Sequence, residues 1–158
     1  MNPSPKPAED NNYLAEHIAI LRNSFRHWTG RELVKPGMSD VEAARFVFHA
    51  PFVVVSHDAA KDPMFNYANQ TALDLFAMSW ADFTALPSRL SAAEVDQEER
   101  ARLLGEVDTR GYIENYRGIR IGRHGRRFLI EEAMVWNLLA PSGVHFGQAA
   151  LFKHWTFL

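Results

Sequence analysis

Apolar residues recur along this chain with two periods, and the periods divide it. Leu14, Ile18, Leu21, Phe25 and Trp28 are spaced four, three, four and three apart. That spacing marks one face of a helix and also fits a two-heptad seam. The helix is expected over Tyr13 to Trp28, with Gly30 as its terminator. Beyond the break at Lys35-Pro36-Gly37, Ser39 and Glu42 form a capping box. It opens a helix to His49, with Val41, Ala44 and Phe48 inward, and Pro51 ends it. Phe52 to Ser56 is apolar at both parities, as in a covered central strand. After a turn, Met64 to Ala68 is a second strand, and Asn69 caps a helix carrying Ala72, Leu73, Leu75 and Phe76. Ser79 with Asp82 starts a short helical turn that buries Trp80 and Phe83. Ser91 with Glu94 opens a longer helix to about Gly111, with Val95, Leu103, Leu104 and Val107 inward. Strands are expected at Tyr112–Ile121, Arg127–Leu139 and Val144–Trp155, joined at His124-Gly125 and Pro141-Ser142-Gly143.

Strands joined by tight turns pair antiparallel. The two early strands are expected to complete one five-stranded sheet with helices on one face, an α+β arrangement. Residues 1–12 read as a disordered leader, 13–50 as N-terminal helices and 51–158 as the main domain.

Composition narrows the chemistry. The 158 residues are 47% hydrophobic and 23% charged, with a net charge of −2, which favours neither nucleic acid nor an anionic membrane as partner. No apolar run approaches the ~20 residues needed to span a bilayer. The absence of cysteine excludes disulfides, thiolate nucleophiles, cysteine-held zinc and iron–sulfur clusters. It suits a reducing compartment, so a cytoplasmic protein is expected.

Three phrases carry a family resemblance: Phe65 to Phe76, His124 to Leu138, and Leu151 to Leu158. Together they resemble the MEKHLA family, whose domain is PAS-like, and the resemblance runs from the first helix to the C-terminus. It implies a PAS-like fold, an apolar chamber between curved sheet and short helices, and regulatory or dimerising roles. It supplies no catalytic residues. The DNA-binding and zipper segments of plant members are missing from this sequence, so a direct role in transcription is not expected.

Specific chemistries are mostly excluded. Light-sensing LOV domains, which share this fold, need a cysteine beside the flavin, and the photoactive-yellow-protein route needs one for its thioester. Haem would need a histidine on the pocket wall, yet none lies between His57 and His124. The seven histidines lack a zincin spacing. Ser56, His57 and Asp58 are adjacent on a strand and point to alternate faces, so they form no relay. Arg117, Arg120, Arg123, Arg126 and Arg127 cluster at a hairpin, as an anion patch or as solvated charges that block edge pairing. Glu132 falls by period two on the apolar face of Phe128, Ile130, Met134, Trp136 and Leu138. It therefore meets a ligand or an internal arginine there, or a bulge breaks the parity and leaves it in water. Gln148 sits among Val144, Phe146 and Ala150 by the same count.

The expectation is a non-catalytic PAS-like sensor binding a small apolar or aromatic ligand through Tyr67, Trp80, Glu132, Trp136 and Gln148, with no cofactor assigned. Output would pass through the first helix to a homodimer or partner. The alternative is an interaction module with a filled core. An enzyme using His57, Asp58 or Glu132 as base lacks a visible nucleophile–base–orienter set.

Overall fold

The computed structural model describes residues 4–92 and 97–158. Two helices come first, α1 (Ala15–Thr29) and α2 (Asp40–His49). Strands β1 (Val53–Asp58) and β2 (Phe65–Ala68) follow, then α3 (Gln70–Phe76), α4 (Trp80–Thr84) and α5 (Gln97–Arg110). The chain closes with β3 (Tyr112–Ile121), β4 (Arg127–Leu139), β5 (His145–Phe152) and β6 (His154–Phe157). The local signals hold where they rest on single hydrogen bonds. Ser39 Oγ accepts from the Glu42 N–H, Asn69 Oδ1 from Ala72, and Ser79 Oγ from Asp82. Gly30 adopts the left-handed conformation that ends α1. The capping box expected at Ser91 involves Glu94, which with Val95 lies outside the described residues. Ser91 itself belongs to a 3₁₀ turn over Ser88–Ser91.

The sheet is antiparallel throughout, in the order β2-β1-β5-β4-β3. One correction concerns its last member. The expected final strand breaks at Lys153, and its tail becomes a sixth strand. β5 pairs with the back of β4 (Met134↔Leu151), and β6 pairs with the front (Ile130↔Trp155). Two further irregularities lie beside this break. Gly118 pairs with Ile130 but Tyr116 with Ala133, so β4 carries an extra residue, and Glu132 has φ +54° there. Between Ile113 and Tyr116 the extra residue is on β3, where Asn115 has φ +56°. Each bulge moves the following side chains to the other face.

These shifts assign the faces. Val55, Ala150 and Val135 form one cross-strand row, and His57, Gln148 and Asn137 form the next. This face lies under α5, whose Leu103 and Val107 pack on Val135. The opposite face carries Ser56, Ala149 and Trp136 and is covered by α1. Ile18, Leu21 and Phe25 of α1 are buried there, and the Trp136 indole N–H donates to the Leu21 carbonyl at 3.2 Å. The heptad seam is therefore used inside the domain. On α2 the inward residues are Ala43, Ala44, Val47 and Phe48, whereas Val41, expected inward, is 43% exposed. The expected leader is packed from Ser4 onward: its carbonyl accepts the Trp80 indole N–H at 2.8 Å, and Glu9–Leu14 form a 3₁₀ turn against α2.

Asn69 is the main polar knot. It is fully buried, and its Oδ1 accepts from Val54 and Ala72 while its Nδ2 donates to the carbonyls of Val47 and Phe52. One amide thus satisfies the end of α2, the start of β1 and the start of α3, as a buried amide must.

Candidate functional site

A cavity of about 80 Å³ lies between the α5 face of the sheet and α3 and α5. Apolar walls come from Val55, Phe65, Leu103, Ile130, Val135 and Phe152, and polar groups from His57, Ser88, Arg100, Tyr116, Arg120 and Gln148. Its size is well under the ~300–1,000 Å³ of pockets that hold drug-sized ligands. A separate groove between α5 and β3 is larger but open, and is lined largely by exposed charged side chains.

Each polar group has a local reason for its place. The β2 bulge turns Phe65 and Tyr67 to opposite faces, so Phe65 stacks on Phe83 beside the cavity, paired across β1 with His57. The His57 Nδ1 lies 2.9 Å from the Asp58 carbonyl, and burial lowers the ring's pKa, so it is neutral at neutral pH with Nε2 as acceptor. Gly147, the neighbour of Gln148, has φ +147°, and a Cβ there would stand 2.0 Å from the His57 carbonyl. That close approach needs glycine. Gln148 Nε2 donates to Asn137 Oδ1 at 3.0 Å and to Asp108 at 3.1 Å, while its buried Oε1 has no partner.

On β3, Tyr116, Gly118 and Arg120 alternate along one face. The Tyr116 ring lies over Gly118, where a Cβ would come within 2.3 Å of its hydroxyl oxygen. This lets the phenol accept from Arg120 Nη2 at 3.1 Å and meet Glu99 at 3.3 Å. Burial raises the phenol's pKa. From α5, Arg100 donates to Ser88 Oγ. Burial first, and the Arg120 charge second, bring Arg100 down to about 10.

Of the five residues expected to contact a ligand, the structure brings Gln148 to the cavity. Tyr67 is fully buried on the α1 face, stacked on His17 at 5.5 Å and edge-on to Trp80 at 6.0 Å. Trp80 points to Ser4, and Trp136 lies under Phe25 and Leu21. Glu132 is at the bulge, its side chain 69% exposed, with His154 Nε2 at 3.3 Å. The period-two face breaks there, so Phe128 and Ile130 belong to the cavity side and Trp136 to the other. Sequence reading missed Arg100, Tyr116 and Arg120 as a set. The available signal was Tyr-x-Gly-x-Arg on one strand face.

Ser56 points away from His57 to meet His17 Nε2 at 2.9 Å. Among the described residues no group of three His, Cys, Asp or Glu could hold a metal, and no helix is long and apolar enough to cross a membrane. The hairpin arginines are dispersed: Arg123 pairs with Asp82 at 2.9 Å, Arg117 lies 3.7 Å from Glu131, and Arg126 stacks on Phe157.

The family model described as MEKHLA domain matches residues 15–157. No curated protein matches the sequence. Among solved structures, a PAS domain from Colwellia psychrerythraea is similar, at TM-score 0.61 and 14% identity over 73% of this chain and 92% of that one. The light-state dimer of the fungal blue-light photoreceptor Vivid matches at 0.54 and 13%, over 94% and 95%. A PAS domain of a LuxR-family regulator from Burkholderia thailandensis, in complex with ethanol, matches at 0.53 and 16%, over 72% and 95%. The shared fold is the PAS fold. The cysteine that forms a LOV-type flavin adduct is absent from this sequence.

Proposed function

Because this chain belongs to the MEKHLA domain family, we propose that it is a non-catalytic, cytoplasmic PAS-type sensor whose cavity binds one small molecule. The observation that carries this reading is the cavity itself. Apolar walls line it, and among its polar groups are the unpartnered Gln148 Oε1 and the guanidiniums of Arg100 and Arg120. Buried polar groups without partners are costly, and a guest that satisfies them recovers that cost.

The output route we propose runs through Asn137. Its side chain accepts from Gln148 and donates to the Val107 carbonyl of α5 at 2.9 Å, while its own carbonyl accepts the Trp28 indole N–H of α1 at 2.9 Å. A guest that draws on Gln148 therefore changes a network that reaches the helix on the far side of the sheet. Such coupling needs differential contacts in two states. Since the α1 seam is buried, a homodimer or partner contact would use α1 after a shift rather than at rest.

The test is an NMR titration of the full chain with small apolar and polar fragments, reading amides of Val55, Val135 and Gln148 and the Trp28 indole N–H. Cavity amides and the Trp28 signal should move together. No shift with any fragment refutes the binding reading, and cavity shifts with a silent Trp28 refute the route. Ultracentrifugation of the saturated protein then reads self-association.

A further inference from the structure

Two arginines reach one cavity wall from different elements, Arg100 from α5 and Arg120 from β3. Among the described residues no carboxylate lies within ion-pair distance of either one. Two described acids in this region are engaged elsewhere, Asp62 with Arg89 at 3.2 Å and Glu99 with the Tyr116 hydroxyl. Each guanidinium carries five N–H donors. Arg100 spends one on Ser88, and Arg120 spends two, on the Ile119 carbonyl and on Tyr116. Two like charges on one wall with no ion-pair partner among the described residues repel, and an anion between them removes the repulsion. The other polar lining has the opposite character. His57 offers Nε2 and Gln148 offers Oε1, both acceptors, on paired positions of β1 and β5.

Resting on the sensor reading above, we infer that the cavity takes a small carboxylic acid whose carboxylate is held by Arg100 and Arg120 and whose far end donates a hydrogen bond to Gln148 or His57. The planar guanidinium fork matches a carboxylate bidentately. The apolar walls between the two ends suit a short hydrocarbon or single-ring body, and the cavity's size excludes anything much larger. Arg100 is brought down toward the range of an ordinary amine by burial and by Arg120, which is the electrostatic mark of a cation waiting for an anion. The phenol of Tyr116, fixed over Gly118, orients Arg120 toward the same wall.

The test is calorimetric titration of the full chain with lactate, 3-hydroxybutyrate, benzoate, 3-hydroxybenzoate and 4-hydroxybenzoate, each against its own amide, and with inorganic phosphate and toluene. At least one acid should bind about tenfold or more tighter than its amide, as a charge-assisted fork predicts. Arg100→Gln and Arg120→Gln should each weaken acid binding much more than amide binding, so that the acid-to-amide preference disappears. Each variant gives up the hydrogen bonds of its guanidinium, so thermal melting beside wild type first checks that it folds. Should Arg100→Gln fail to fold, Arg120→Gln and the wild-type acid-to-amide ratio decide. Amides that bind as well as acids, or acid affinity untouched by both substitutions, overturn the carboxylate assignment and leave the sensor reading standing. Arg-dependent phosphate binding tighter than every carboxylate also overturns it. Silence from every acid, amide and toluene overturns both.

Discussion

His17 makes the stability of this protein depend on pH in a way that can be calculated. Its ring stacks on Tyr67, tilts against Phe146 at 5.9 Å and hydrogen-bonds Ser56 across the α1–β1 interface. Burial lowers its pKa from 6.5 to about 4. A base depressed in the folded state stays neutral there while the unfolded chain takes up the proton. The contribution is therefore complete above about pH 6.5 and is lost as pH falls from there toward 4. Between about pH 7.5 and 5 the linkage integral gives roughly 2 kcal/mol, or about 4–8 °C in Tm for a domain of this size. His17→Gln keeps an amide within reach of Ser56 but removes the titration. Urea denaturation of both proteins at the two pH values measures the difference. The variant should lose about 2 kcal/mol less than wild type over that interval. His57, also depressed by burial, contributes a slope of the same sign to both proteins and cancels in the comparison. Equal losses in the two proteins would refute the assignment of a neutral, enclosed His17.

Other outcomes follow from single positions. Asn69→Ala strips a cap and removes the side-chain partner of the Val54 N–H and of the Val47 and Phe52 carbonyls, and chemical denaturation should show a loss of about 3 kcal/mol or more. Gly147→Ala forces a Cβ onto the His57 carbonyl, so a loss of about 2 kcal/mol or more is expected, with local shifts at Gln148 in the amide spectrum. Glu132→Asn relaxes the left-handed bulge position and should raise Tm slightly, by about 0.5–1 kcal/mol in stability, without changing any ligand affinity.

The parts legible in the sequence are those decided within a few residues. Ser39, Asn69 and Ser79 announced their helices because a cap is one side chain meeting an N–H two or three positions on. The three closing strands announced their pairing because short turns leave no other partner. What stayed hidden depends on register between strands. The bulge at Glu132 exists because β4 runs one residue ahead of β3, and nothing in Glu131-Glu132 itself encodes that. Once it exists, Trp136 leaves the cavity and Glu132 meets water. Arg100 was hidden for a different reason. It stands in the run Gln97-Glu98-Glu99-Arg100-Ala101-Arg102, which reads as a solvated helix surface until topology lays that helix over the sheet. Val41 misled because the inward stripe of α2 begins with two small alanines, Ala43 and Ala44, which weigh little in a hydrophobic pattern.

The irregularities at Asn115, Glu132 and Lys153 fall side by side on neighbouring strands. They form a crease across the sheet, with Phe128, Ile130 and β6 in front and Val135, Trp136 and β5 behind. A pleated ribbon resists stretching but yields where its ladder is interrupted. The floor of the chamber is thus two panels meeting at a joint, and a guest somewhat bigger than the resting void can be admitted by a change of angle between them while each panel keeps its own ladder intact.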